Sequence, residues 1–147
     1  MKVKSEQCRS DCPIAYALDF VGDKWTLLVL RDLMLAHKRH FQEFLGSKEQ
    51  IASNILASRL KLLKRTGLVT RADDPEHGRR VIYTPTAKAL ELLPTMLELL
   101  HWGAKYAPRN GAPAEIMRRS KKDRAAFVAE IRARHMARSK PQKLSPA

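Results

Sequence analysis

Seven small, polar or basic side chains between Ser53 and Arg65 are the residues best suited to binding chemistry. On a helical wheel of about 100° per residue they share one arc, and leucines fill the opposite side. The seven are Ser53, Asn54, Ala57, Ser58, Lys61, Lys64 and Arg65, and the leucines are Leu56, Leu60 and Leu63. Short polar side chains can contact base edges, and cations can contact phosphates. The pattern predicts a DNA-reading helix, with an ordinary solvated amphipathic helix as the alternative.

Two thiols near the N-terminus, Cys8 and Cys12, are the second candidate for chemistry. Cys12 precedes Pro13, a residue that suits the first position of a helix, and the positive end of a helix dipole favours a thiolate. Cys8 is close enough in sequence to act as a resolving thiol. Two interpretations stay open: a redox-sensing Cys12, or a reduced and inert thiol.

Catalytic patterns are not recognisable in the sequence. The five histidines are scattered, mostly beside basic residues, and we find no nucleophile-base-acid set, no phosphate-cradling glycine loop and no metal-ligand spacing. We therefore predict a protein that is not an enzyme and that carries no metal or cofactor.

The charge balance of the chain favours polyanionic partners. Its 147 residues include 28 lysines and arginines against 15 acids, a net charge of +13. Nucleic acid is the first expectation and an acidic membrane surface the second. No apolar run approaches the ~18 residues of a membrane span, and the first residues lack the apolar segment of a signal peptide. We expect a cytoplasmic protein, associated with the nucleoid when bound to DNA.

Several helices should position the reading helix. Hydrophobic periodicity predicts helices over residues 13–22, 24–36 and 41–45, the second being apolar almost all round and capped by Asp23. Ser53 is the expected N-cap of the reading helix, and Gly67 is its expected stop. Core positions of the second helix are expected at Trp25, Leu28, Val29, Leu33 and Leu35.

A β-hairpin should follow the reading helix. Residues 68–71 and 79–84 have strand character, and residues 73–78 have turn chemistry. The tip would hold His77, Arg79 and Arg80, which suit contact beside or inside a minor groove, although an ordinary basic turn is the alternative. A helix over residues 87–106, capped by Thr86 and kinked at Pro94, should come next. Its apolar side comprises Leu90, Leu93, Leu97, Leu100 and Trp102.

The composition changes after residue 107. Residues 109–147 hold 11 lysines and arginines against 3 acids. We divide the chain into a flexible N-terminus (residues 1–11), a DNA-binding domain (12–107) and a basic extension (108–147). A helix over about 121–136 is expected in the extension, with Phe127, Val128 and Ile131 as an apolar stripe, and the end should be disordered.

Residues 12–107 also carry a family resemblance. The matching pieces are CPI at 12–14, GDKWTLLVLR at 22–31, RHFQEF at 39–44, IASNILASRL at 51–60, GLV at 67–69, RRVIY at 79–83, LP at 93–94 and WG at 102–103. In this order and spacing they resemble the HxlR-type winged helix-turn-helix transcriptional regulators of bacteria. The chain departs from the family pattern in TPT at 84–86 and KA at 88–89, where the family usually has Leu-Thr and then a glycine.

The resemblance implies a mainly α-helical winged helix-turn-helix fold with a small hairpin, in a homodimer that regulates transcription by binding double-stranded DNA. It further implies that helices 13–22 and 87–106 form the dimer. Two symmetric reading helices ~34 Å apart would require an inverted-repeat operator. Some relatives use a cysteine at the position of Cys12 to sense oxidants or electrophiles, so an oxidant or small-molecule effector is allowed. The alternatives are a nonspecific or architectural DNA-binding protein and a winged-helix protein-interaction module.

One basic residue of the reading helix falls outside its polar arc. Arg59 lies within the apolar side of the wheel, between Leu63 and Ile55. A buried arginine normally requires a carboxylate or carbonyl partner. A structural ion pair and a DNA contact are therefore both open for this side chain.

Overall fold

A computed structural model describes residues 10–139 of the chain. Cys8, the predicted flexibility of residues 1–9 and the predicted disorder at the end of the chain lie outside the described residues. In chain order the elements are α1 (Pro13–Val21), α2 (Lys24–Met34), α3 (Phe41–Leu45), α4 (Ser53–Arg65), β1 (Val69–Asp73), β2 (Val81–Pro85), α5 (Ala87–Leu90), α6 (Leu93–Tyr106), α7 (Ala114–Lys122) and α8 (Arg124–Ser139).

Helix α2 is the centre of the fold. Its N-cap is Asp23, as predicted, and the carboxylate accepts hydrogen bonds from the backbone N–H groups of Trp25 (3.1 Å) and Thr26 (3.0 Å). Leu30 and Met34 are fully inaccessible to solvent, and Val29 and Leu33 are buried as expected. The expected burial of Trp25, Leu28 and Leu35 was wrong in degree, because all three side chains are only half-buried. Trp25 and Leu35 pack against the margin of the core.

Helix α3, a tight turn and α4 form a helix-turn-helix. The predicted N-cap at Ser53 was wrong: Ala52 holds the N-cap position, because its backbone is extended and its carbonyl already accepts the Leu56 N–H at 2.9 Å. Ser53 is the first residue of the helix. At the other end Gly67 has φ +74°, a left-handed conformation that glycine adopts without strain. The Leu68 N–H closes this end by donating to the Leu63 carbonyl at 2.9 Å.

The two strands form an antiparallel hairpin, with Val69 opposite Pro85 and Asp73 opposite Val81. Thr86 then caps α5, as predicted, by accepting the Ala89 N–H at 3.3 Å. The predicted single kinked helix over residues 87–106 was wrong, because α5 ends at Leu90 and α6 begins at Leu93. Pro94 stands in the first turn of α6, where its missing N–H costs no intrahelical hydrogen bond.

The basic extension is packed onto the core through two helices rather than the one expected. Phe127, Val128 and Ile131 of α8 are 3–7% exposed and belong to the same hydrophobic cluster as Leu30 and Leu97. Next to this stripe, His135 is buried with its Nε2 at 3.2 Å from the Met34 carbonyl oxygen. Burial lowers the pKa of His135, and the nearby His37 and arginine charges act in the same direction. Helix α8 therefore covers the C-terminal end of α2, and His135 contacts its last turn.

Among residues 10–139, no helix is long and apolar enough to cross a membrane.

Candidate nucleic-acid interface

Helix α4 presents the predicted polar arc to solvent. All seven side chains of this arc are exposed, and they are Ser53, Asn54, Ala57, Ser58, Lys61, Lys64 and Arg65. Leu56, Leu60 and Leu63 on the opposite side are 0–3% exposed and pack in the core. The rigid backing and the small residues near the N-terminal end suit close approach to a groove. Lys64 and Arg65 occupy the last turn, where cations also complement the helix dipole.

Arg59 forms the structural ion pair that the wheel left open. Its Nη1 lies 3.3 Å from Oδ2 of Asp23, the N-cap of α2, so the pair joins α4 to α2. Although burial opposes it, the hydrogen bonds from Thr26 and the charge of Arg59 lower the pKa of Asp23. The Arg59 side chain is only 29% exposed, and it is therefore part of the support of α4.

The tip of the hairpin carries the other predicted cations. We call the whole hairpin, residues 69–85, the wing. Arg79 and Arg80 are exposed in the turn between its two strands. His77 is exposed too, but its Nδ1 also lies 3.3 Å from Oδ2 of Asp74. Asp74 is 7% exposed, and its N–H donates to the Arg80 carbonyl at 2.8 Å. The wing tip is thus a closed turn around a buried carboxylate, with its guanidinium groups outside.

A second buried carboxylate, Asp32, holds the helix-turn-helix in place, and sequence reasoning did not find it. It accepts hydrogen bonds from Arg31 Nη2 (2.7 Å), Lys38 Nζ (2.9 Å) and the Ser47 hydroxyl. Arg31 also donates to both carboxylate oxygens of Glu49 (2.6 and 3.0 Å), which lowers the pKa of Glu49 to about 2. These contacts tie the end of α2 to the turn before α4. The sequence shows acidic and basic residues between positions 31 and 49, but which of them pair depends on the fold.

Large apolar side chains on α1 and α6 lie exposed in the single chain. On α1 the large apolar side chains are 50–71% exposed, and on α6 they are 50–66% exposed. They are Ile14, Tyr16, Leu18, Leu99, Trp102 and Tyr106. We call this set the α1/α6 face. Exposed apolar surface of this kind marks an interaction site.

Cys12 is exposed at the N-cap of α1, whose first helical residue is Pro13. Its N–H donates to the Ser10 hydroxyl at 3.3 Å, and its carbonyl accepts the Tyr16 N–H at 3.1 Å. The backbone therefore fixes the residue while the thiol stays open to reagents. Within residues 10–139, no three histidine, cysteine or acidic side chains gather closely enough to hold a metal ion.

The helix-turn-helix, the hairpin after it and the exposed polar arc of α4 define a winged helix-turn-helix protein. Comparison with known families assigns residues 20–111 to the HxlR-like helix-turn-helix family, and the chain belongs to that family. This confirms the resemblance that the sequence motifs indicated, and with it the class of transcriptional regulators.

Relatives and solved structures agree with this assignment. An uncharacterised HTH-type transcriptional regulator of Halalkalibacterium halodurans is 36% identical over 104 residues, which cover 71% of this chain and 89% of that protein. The HTH-type transcriptional regulator YodB of Bacillus subtilis is 33% identical over 96 residues, covering 65% and 85%. Among solved structures, the redox regulator HypR in its oxidised form superposes with a TM-score of 0.60 at 28% identity, covering 67% of this chain and all of HypR (100%). Reduced YodB superposes with a TM-score of 0.53 at 29% identity, covering 67% of this chain and 97% of YodB.

Proposed function

We propose that the protein regulates transcription by binding double-stranded DNA at a specific site, as a homodimer on an inverted repeat. The observation that carries this proposal is the exposed polar arc of α4, backed by three buried leucines. Ser53, Asn54, Ala57 and Ser58 are the proposed contacts to base edges. Asparagine can bind adenine through two hydrogen bonds, and small neighbours let the helix approach closely. Lys61, Lys64 and Arg65 are the proposed phosphate contacts, which position the protein without reading sequence.

The wing is the second proposed DNA contact. Arg79, Arg80 and His77 are exposed at its tip, immediately after the helix-turn-helix in the chain. Arginine side chains are attracted to the strong negative potential of narrow A·T-rich minor grooves. We therefore expect the wing to contribute preference for A·T-rich flanks as well as affinity.

A second copy of the chain is the proposed occupant of the α1/α6 face. Ile14 and Leu18 are one helical turn apart, and Leu99, Trp102 and Tyr106 follow helical spacing on α6. A twofold axis would place this apolar set against itself, as isologous interfaces require. Two α4 helices could then enter successive major grooves ~34 Å apart. The dimer would act in the cytoplasm, on the DNA of the nucleoid, and we propose no catalytic activity for it.

Footprinting of genomic fragments at physiological salt, with and without competitor DNA, tests the proposal. We expect a protected inverted repeat upstream of a gene that persists with competitor. Uniform coating that disappears with competitor would instead indicate nonspecific or architectural binding. A protein with no DNA affinity would point to a winged-helix protein-interaction module.

Asn54→Ala should separate reading from positioning. We expect it to weaken binding to the protected site by about 1–3 kcal/mol, with little change on random DNA, because one bidentate base contact is lost. Lys61→Ala is the matched control on the same arc, and it should weaken both complexes similarly and lower the salt dependence by about one charge. Fluorescence anisotropy with both DNAs measures this. Equal losses for Asn54→Ala on the two DNAs would remove Asn54 as a reader.

We also propose that Cys12 senses oxidants. The thiol is exposed at the start of α1, beside the α1/α6 face, and the structurally similar HypR is described as a redox regulator. Diamide would take two hydrogens from two thiols, leaving a disulfide and a hydrazine. The second thiol would be Cys8 or the Cys12 of the other protomer.

The sensor proposal predicts that diamide releases the operator. We expect at least about a tenfold loss of affinity for the wild type, recovery with dithiothreitol, and no response from Cys12→Ser. Cys8→Ser distinguishes the partner thiol, because it stays responsive if Cys12 pairs with its symmetry mate. An unchanged wild-type affinity after complete thiol oxidation would rule out the sensor.

A further inference from the structure

His40 occupies a position between two carboxylates that belong to different parts of the fold. Its Nδ1 lies 3.2 Å from Oε2 of Glu43, and its Nε2 lies 2.8 Å from Oδ2 of Asp74. A neutral imidazole has a single N–H to donate, whereas the imidazolium form has two. The ring therefore spans the two carboxylates, with one nitrogen within hydrogen-bond distance of each. We call Glu43, His40 and Asp74 the His40 clamp.

One end of the clamp is fixed to the start of the helix-turn-helix. Oε2 of Glu43 accepts hydrogen bonds from the backbone N–H groups of Arg39 (2.7 Å) and His40 (2.8 Å). Glu43 is the third residue of α3, so these contacts form a capping box with His40 as the N-cap. Although burial opposes it, these N–H groups and His40 lower the pKa of Glu43. The carboxylate is thus held ionised beside the His40 ring.

The other end of the clamp is fixed to the wing. Oδ1 of Asp74 accepts the Glu76 N–H at 3.0 Å, and its Oδ2 also faces His77 Nδ1. The hydrogen bond from His40 is the main cause that lowers the pKa of Asp74 to about 2, followed by those from Glu76 and His77. Among residues 73–80, Asp74 is the one buried side chain. It is accordingly the anchor through which the tip of the wing is attached.

A backbone hydrogen bond close to the clamp also attaches the wing to the helix-turn-helix. The Tyr83 N–H donates to the Arg39 carbonyl at 2.9 Å, which attaches β2 to the link before α3. That bond holds the middle of the wing, whereas the His40–Asp74 bond holds the turn that carries Arg79 and Arg80. Losing the clamp would leave the hairpin formed but would free its tip.

We propose that His40 is a positioning residue for DNA binding, which sets the wing tip and its arginines at a fixed place relative to the helix-turn-helix. The inference rests on the proposed function, because it assigns a means of control to the same DNA-binding surface. His40 itself need not contact DNA in this role. Pre-ordering the tip removes an entropy cost that a mobile wing would meet on binding.

Three variants of the full chain test the clamp. His40→Gln removes the ring that spans the two carboxylates, Asp74→Asn removes the charge of one carboxylate at nearly constant shape, and His40→Arg places several donors between the two carboxylates. We expect about a tenfold loss of operator affinity for His40→Gln and Asp74→Asn, a typical effect of losing a hydrogen bond to a charged group. We expect His40→Arg to stay within about threefold of the wild type.

The same substitutions in an Arg79→Ala, Arg80→Ala background provide the readout that a merely structural role would not change. If the clamp acts by placing these arginines, His40→Gln should have less than about a twofold effect once they are gone. An equal loss in both backgrounds would overturn the proposal, as would a wild-type affinity for His40→Gln.

Hydrogen exchange of the wing amides is measured without DNA. It therefore tests the His40 clamp independently of the proposed DNA-binding function. His40→Gln should speed exchange at residues 74–80 relative to the wild type, with β1 and β2 unchanged. Unchanged exchange at the tip would overturn the clamp whether or not an operator is found. Failure of the wild type to protect any DNA would overturn the proposed function, and the exchange result would still judge the clamp.

Discussion

Trp102→Glu is expected to convert the proposed dimer to a monomer and to reduce operator affinity by roughly 10²–10⁴-fold, the gain that linking two binding units provides. Trp102 is 66% exposed on α6 and is one of the six side chains of the α1/α6 face. A glutamate there would have to be buried without a partner in a symmetric apolar interface. Light scattering after size exclusion measures the mass, and a mobility-shift titration measures the affinity.

Met136→Glu is the matched control for this experiment. Met136 is 45% exposed on α8, outside the α1/α6 face, so a charge there should change neither the mass nor the operator affinity. Thermal denaturation should show both variants folded, because both side chains are exposed in the single chain. A Trp102→Glu protein that remains dimeric would exclude this face as the dimer interface.

Phe127→Ala is expected to destabilise the protein by about 3–5 kcal/mol, because it leaves a cavity where an aromatic ring was packed. Phe127 is 4% exposed and lies in the main hydrophobic cluster, although it belongs to the basic extension. The guanidinium of Arg119 lies 5.3 Å from the centre of its ring and adds a cation–π contact. Urea denaturation of the full chain, followed by circular dichroism, measures the free energy of unfolding.

Met136→Ala, on the exposed side of the same helix, should change the free energy of unfolding by about 0.5 kcal/mol at most. A comparably small effect for Phe127→Ala would mean that α8 is not docked in solution. The expected large effect would show that the extension contributes to the stability of the winged helix. Truncation after residue 108 would then expose core side chains, and point substitutions are the better way to study the charges of the extension.

The charges of the extension are partly consumed within the fold. Arg118 pairs with Glu115 at 2.8 Å, and Arg119 and Arg134 both contact Glu130, the latter at 2.9 Å. These pairs fix where the paired cations lie, and the net charge of +13, which already counts the acids, is unchanged by them. The net balance still favours nucleic acid, which agrees with the class of protein that the fold and the family define.

Several features of this protein were determined by the sequence itself. The amphipathic period of α4, the caps at Asp23 and Thr86 and the stop at Gly67 are all present in the structure as predicted. Each depends on the conformational preference of a residue and on partners a few positions away. Such local signals act in any chain that forms the helix, so they can be read without knowing the fold.

The sequence did not determine two helix boundaries, because neighbouring residues could each have formed the helix end. Ser53 is a better N-cap residue than Ala52, yet the helix begins one residue earlier because the tight turn already holds Ala52 extended. Pro94 was expected to kink one helix, and it instead begins a second one. In both places packing selected between boundaries whose local energies differ by about 1–3 kcal/mol.

Only the tertiary structure decided which distant charges meet. Arg59 and Asp23 are 36 positions apart, and His40 and Asp74 are 34 apart. The burial of α8 likewise depends on its contacts with β2, α5 and the end of α2, which exist only after the domain has folded. These contacts fix the position of α4 and of the wing tip. The sequence thus determined which residues could read DNA, and the tertiary structure decided what holds them in place, because long-range pairing follows from the packing of whole elements.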